Sequence, residues 1–77
     1  MDINTFIENL ADQFDDVAAN SLTPDTVYKD LEEYGSMVAL SIMAMVNEEY
    51  DVFIKGEDIR NTATIKDLFE LVKSRKA

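Results

Sequence analysis

The apolar positions near the start of the chain recur at helical spacing. Ile3, Phe6, Ile7, Leu10 and Phe14 fall at i, i+3, i+4, i+7 and i+11, a single stripe down one side of a helix. Asp2 stands where an N-cap belongs. Glu8, Asp12, Asp15 and Asp16 lie off the stripe. The aspartates lack the alternating pattern, glycine and distal glutamate of a calcium loop, so a solvated helix end is expected there.

Residues 17–35 show no sustained periodicity and predict a long, partly ordered connection. Asn20-Ser21-Leu22-Thr23-Pro24-Asp25 is turn chemistry, with Thr23 suited to capping and Pro24 to a first helical position. Val27, Tyr28 and Leu31 are the apolar anchors expected to pin the connection to a core. A second helix begins at Ser36. From Met37 to Val46 only Ser41 is polar, and Glu48, Glu49 and Tyr50 finish the helix. A helix apolar nearly all round is either central to a bundle or offers one face to something outside.

Tyr50-Asp51-Val52-Phe53-Ile54 has strand-type residues but no partner segment, so it predicts an extended loop with its apolar side chains turned inward. Gly56 ends it, and residues 57–61 suit one short helical turn. Thr64 is placed to cap a last helix, with Asp67 three residues on as its acidic partner. Ile65, Leu68, Phe69 and Val72 form its stripe, and Lys73, Arg75 and Lys76 crowd the end favoured for cations. The expectation is an all-α fold: a small bundle of three main helices plus one short helix, with a long loop between helices one and two, as a single domain over residues 1–77. Phe6, Leu10, Leu31, Leu40, Met43, Val46, Tyr50, Ile54, Ile65, Leu68 and Phe69 are expected inside.

Composition narrows the function. The chain has 77 residues with no Cys and no His, which excludes disulfides, the usual zinc sites, and imidazole or thiol catalysis by its own side chains. Without a tight carboxylate pair in an evident cleft, an enzyme is not expected. The net charge of -9 repels phosphate, so nucleic acid is not an expected partner. Residues 1–58 hold fourteen acids and two bases, a charge of -12, whereas residues 59–77 carry +3. An electropositive partner is therefore expected to approach the first three-quarters of the chain. No apolar run is long enough to span a membrane, and Met1-Asp2-Ile3-Asn4 has no feature of a signal peptide. A cytoplasmic monomer that binds other proteins is the expectation.

Over residues 25–75, and more loosely from residue 2, the chain resembles the acyl carrier proteins. The resemblance rests on Val27-Tyr28-Lys29-Asp30-Leu31, Gly35-Ser36-Met37, Glu48-Glu49-Tyr50-Asp51 and Thr64-Ile65-Lys66-Asp67-Leu68, in that order. Carriers of this family show an apolar-x-x-Asp-Leu stretch, Asp-Ser-Leu opening helix two, and Glu-Glu-Phe-Asp at its end. Fourteen residues separate Ser36 from Tyr50, as in that family.

The resemblance implies an acyl-carrier-like bundle in which Ser36 bears a covalent 4′-phosphopantetheine. A phosphopantetheinyl transferase would attach it from coenzyme A with magnesium. The arm would hold an acyl group as a thioester for acyl-loading and acyl-using enzymes with basic surfaces, in fatty-acid- or polyketide-like biosynthesis. A serine at a helix start suits an attached phosphate, since amides and dipole favour negative charge there. The same serine also suits an ordinary N-cap, worth about 1 kcal/mol.

The chain departs from the family pattern in three ways. Gly35 stands in place of Asp. Leu31 and Ser36 lie one residue further apart than is common. Val38, Ser41 and Asn47 occupy positions where acids are frequent, leaving Glu48 and Glu49 on helix two and Glu32 and Glu33 before it. These departures fit a carrier dedicated to a specialised pathway, which approaches its partners through charge and contacts them through Met37, Val38 and Ser41. Met37, Met43 and Met45 are expected to form a yielding wall able to shelter an acyl chain. The alternative is an unmodified helical adaptor that binds proteins through the apolar helix 36–50.

Overall fold

Asp2 starts the first helix as its sequence position predicts. In the computed structural model, which describes residues 1–76, its Oδ2 accepts from the Thr5 amide at 3.2 Å and the Thr5 hydroxyl at 3.0 Å. Helix α1 then runs Ile3–Ala11 and buries Phe6, Ile7, Leu10 and Ala11. The stripe outlasts the helix: Phe14 is buried beyond its end, and Asp16 turns the chain with a φ of 60°. Helices α2 (Ser36–Tyr50), α3 (Gly56–Arg60) and α4 (Ile65–Lys76) follow, with 3₁₀ turns at Ala19–Ser21 and Tyr28–Asp30. No strand occurs among the described residues, and Val27 and Thr64 form one isolated antiparallel bridge. The chain is a small all-α bundle.

The core gathers around Phe6, whose ring meets Tyr50 at 5.6 Å and the edge of Phe69 at 5.5 Å. Ile42, Met45 and Val46 come in from α2, and Ile65, Leu68 and Val72 from α4. Asn9 Nδ2 donates to the Tyr50 hydroxyl at 3.0 Å, which gives that oxygen a partner at the core margin.

The long connection is stapled to the rest of the protein more tightly than its sequence implied. Tyr28 is fully buried, with its hydroxyl 2.7 Å from Thr62 Oγ1, which in turn donates to the Ile59 carbonyl. Lys29 Nζ donates to the Ile59 and Arg60 carbonyls at 2.9 and 3.2 Å, placing a cation at the C-terminal end of α3. The amides of Ile65 and Lys66 donate to the Thr26 and Pro24 carbonyls. Leu22, absent from the expected anchors, is buried, while Val27 is 37% exposed.

Other placements differ from expectation. Leu40 is 64% exposed, because it stands two residues before Ile42 and so on the opposite side of α2 from the buried face. Leu31 and Met43 are only half-buried, packed against the core from its edge. In the extended segment after α2, Val52 and Ile54 turn inward but Phe53 does not.

Arg75 grips Asp58 with both guanidinium arms, each at 2.7 Å, and joins α4 to α3. Those bonds, and then the Lys55 amide at 2.8 Å, hold the Asp58 carboxyl down to about 2. An unfolded Asp titrates near about 3.9. The stabilisation is therefore complete above roughly pH 4 and is lost as pH falls toward 2. Asp58→Asn is expected to flatten the stability-against-pH curve in that window, with a shallower residual slope from Asp2 and Asp67, which are also lowered. Urea midpoints measured across the acid range check this.

Candidate functional site

Helix α2 begins differently from its neighbours. In α1, α3 and α4 an aspartate carboxylate bonds backbone amides of the first turn or the residues before it: Asp2 with Thr5, Asp58 with Lys55, and Asp67 with Ala63 and Thr64. At α2 the N-cap position is Gly35, in an extended conformation with φ -165°, and no side chain caps the helix. Ser36 is the first helical residue rather than the N-cap that its position also allowed. The first helical bond is from the Ala39 amide to the Gly35 carbonyl at 2.9 Å. The amides of Ser36, Met37 and Val38 thus face outward unpaired, the orphan donors of an open helix start. The first turn carries no acid. A Cβ at Gly35 would meet nothing within 4 Å, so the space beside Gly35 is open.

The loop before Ser36 is pinned by aromatic packing. Tyr34 lies 6.1 Å from Tyr28, edge-on, and 6.5 Å from Phe14. Burial raises the Tyr34 phenol above its ordinary range. Its amide donates to the Leu31 carbonyl at 3.0 Å. A half-buried tyrosine packed against the core thereby anchors the chain just before the helix.

The exposed face of α2 is apolar at its start and acidic at its end. Ser36 and Met37 are exposed, Met37 by 80%, followed by Leu40 and Ala44 and then by Glu48 and Glu49. Val38 and Ser41 are half-buried, and Val38 packs against the core. Leu40 and Ala44 therefore hold the outward positions expected of Val38 and Ser41. Positions 37, 40, 44 and 48 recur at helical spacing, a signal hidden because the opposite face is apolar too. Glu32 and Glu33 are exposed just before the helix. The three methionines make no common wall: Met37 points to solvent, Met43 is half-buried, and Met45 is buried.

The carboxylates at the far end of α2 run against its dipole, and no basic side chain belongs to its last turn. Asp51 closes the helix in the left-handed region with φ 56°. Lys76 reaches across to donate to the Tyr50 carbonyl at 3.0 Å and supplies the missing cation. A groove of about 330 Å³ lies elsewhere, lined by Asn4, Ile7, Glu8, Ala19, Asn20 and Leu22. Ser36 takes no part in it.

No helix among the described residues is long and apolar enough to cross a membrane. No family model, curated protein or solved structure matches the chain.

Proposed function

We propose that the protein is an acyl carrier that bears 4′-phosphopantetheine on Ser36 and delivers acyl groups to biosynthetic enzymes. The observation that carries the reading is an exposed serine opening the longest helix, at an N-terminus with unpaired amides and open space beside the preceding glycine. The ordered motifs around it, with their family spacing, supply the chemical identity of the group.

The residues present fit a phosphodiester at this point. Ser36 Oγ would form the ester bond as a P–O bond in the pyrophosphate bridge of coenzyme A breaks, with adenosine 3′,5′-bisphosphate leaving and the transferase taking the serine proton. The amides of Ser36, Met37 and Val38 and the positive end of α2 favour the phosphate charge. Gly35 leaves room for the ester, and its extended φ is open to any residue. When bound, the arm supplies the thiol that the cysteine-free chain lacks.

Partner enzymes would be drawn by the negative field and then touch Met37, Leu40 and Ala44. Exposed ion pairs contribute about 0–1 kcal/mol each, whereas a buried Leu contributes roughly 1.5–3 kcal/mol. Leu40→Asp is expected to weaken binding of the acyl-loading enzyme or transferase by about 10- to 100-fold while leaving the fold intact. Val38→Asp acts differently: its side chain packs on the core, so it should lower stability by about 1–3 kcal/mol. Calorimetric titration and urea unfolding of both variants separate the two effects.

The decisive experiment is intact mass spectrometry after incubation with coenzyme A, magnesium and a broad-specificity phosphopantetheinyl transferase. The expected result is a gain of one phosphopantetheine, mapped to Ser36. An unchanged mass with several such transferases removes the carrier reading and leaves the adaptor, which the exposed Met37 and Leu40 also suit.

A further inference from the structure

The segment joining α2 to α3 displays an aromatic ring to solvent. Phe53 is 79% exposed, although Val52 and Ile54 on either side are 4% and 6% exposed. Its backbone is held at three points. The Asp51 amide donates to the Asn47 carbonyl at 3.0 Å, Arg75 Nη1 donates to the Phe53 carbonyl at 3.3 Å, and the Lys55 amide donates to Asp58 Oδ2 at 2.8 Å. The ring is thus presented on an ordered backbone, which lowers the entropy lost when something covers it.

Exposure alternates along the segment, so Asp51, Phe53 and Lys55 are the solvent-facing residues. They read negative, aromatic, positive. That order is self-complementary under a two-fold axis. We infer that this face is an isologous contact between two copies of the chain, with Phe53 stacked on Phe53 and each Asp51 set against Lys55 of the second copy.

Charge selects this occupant. A basic partner would leave Lys55 unmatched, and an acidic partner would leave Asp51 unmatched, but a second copy matches both. The neighbouring Asp58–Arg75 pair adds no net charge, while exposed Glu57 adds one negative charge beside Lys55. The contact is face to face, with ring–ring and cross-segment ion pairs. It is small, and the -9 charge of each copy opposes it, so the dimer is weak, with a dissociation constant on the order of 0.1–1 mM. This dimer replaces the monomer expected from the sequence at high local concentration. It uses no residue of the Ser36 face.

A charge-swap cycle tests the contact in the full-length chain by sedimentation equilibrium from roughly 10 µM to roughly 2 mM, with circular dichroism to verify the fold. Wild type should dimerise across this range. Phe53→Ala should abolish dimerisation. Lys55→Asp and Asp51→Lys each place like charges together and should weaken it about 10-fold or more. The double variant Asp51→Lys/Lys55→Asp should recover most of the lost affinity. Wild type that stays monomeric throughout overturns the inference. So does a dimer that Phe53→Ala leaves intact, or a double variant no better than the singles.

Discussion

Tyr28→Ala is expected to remove a large share of the protein's stability. Tyr28 is fully buried, and truncating a large aromatic in a core costs about 3–5 kcal/mol. A 77-residue domain has only about 4–12 kcal/mol to lose, at roughly 0.05–0.15 kcal/mol per residue. The damage extends beyond the cavity. Tyr28 is the residue on which the long connection turns, packed edge-on against Tyr34 and bonded to Thr62. Its removal frees the segment that leads into Ser36. Tyr28→Phe isolates one component of this. It keeps the ring and loses the 2.7 Å bond, while Thr62 Oγ1 still donates to the Ile59 carbonyl. About 1 kcal/mol is expected from that change. Urea unfolding followed by circular dichroism measures both variants. A Tyr28→Ala protein that unfolds within about 1 kcal/mol of wild type would mean the connection is held by something else.

Ser36→Ala is expected to abolish arm attachment while leaving stability nearly unchanged. The sequence allowed Ser36 to be the N-cap, which would have made its loss cost about 1 kcal/mol. Gly35 holds that position instead, and Ser36 is the first helical residue with no side-chain bond to the helix. Alanine is well tolerated there, so the change in stability should stay within about 0.5 kcal/mol. A readout of mass then separates chemistry from folding without ambiguity. The other serines differ in setting: Ser21 and Ser74 donate to the Ala18 and Leu71 carbonyls, and Ser41 is half-buried within α2. A Ser36→Ala protein that still gains one phosphopantetheine would refute the assignment.

Local signals in the sequence translated directly into structure. Asp2 caps α1, and Thr64 with Asp67 caps α4, because a cap depends only on residues within one turn of each other. The extended segment after α2 stayed unpaired because no second strand exists among the described residues to meet it. What the sequence hid was direction. A helix apolar on nearly every side has no stripe to say which face is inward, so Leu40 looked like core and Val38 looked like surface. Phe53 was hidden for a related reason, since alternation in a short apolar run does not say which residues turn in. Thr62 escaped notice because its partner is Tyr28, more than thirty residues earlier in the chain. At the candidate site, position was legible and capping was not, since Gly-Ser leaves either residue free to take the cap.

The bonds from Ile65 and Lys66 back to Thr26 and Pro24 bear on how the molecule breathes. First-turn amides of a helix usually exchange with solvent as soon as the end frays, since they have no partner within the helix. These two are locked into a seam that joins distant parts of the chain, so they should exchange only when the seam opens. Helix α2 lies wholly inside the loop that the seam closes, and its own first-turn amides are free. Hydrogen exchange should therefore divide the molecule into a slow unit around the seam and a fast one at the start of α2. The serine end of the helix can loosen without the rest of the fold coming apart.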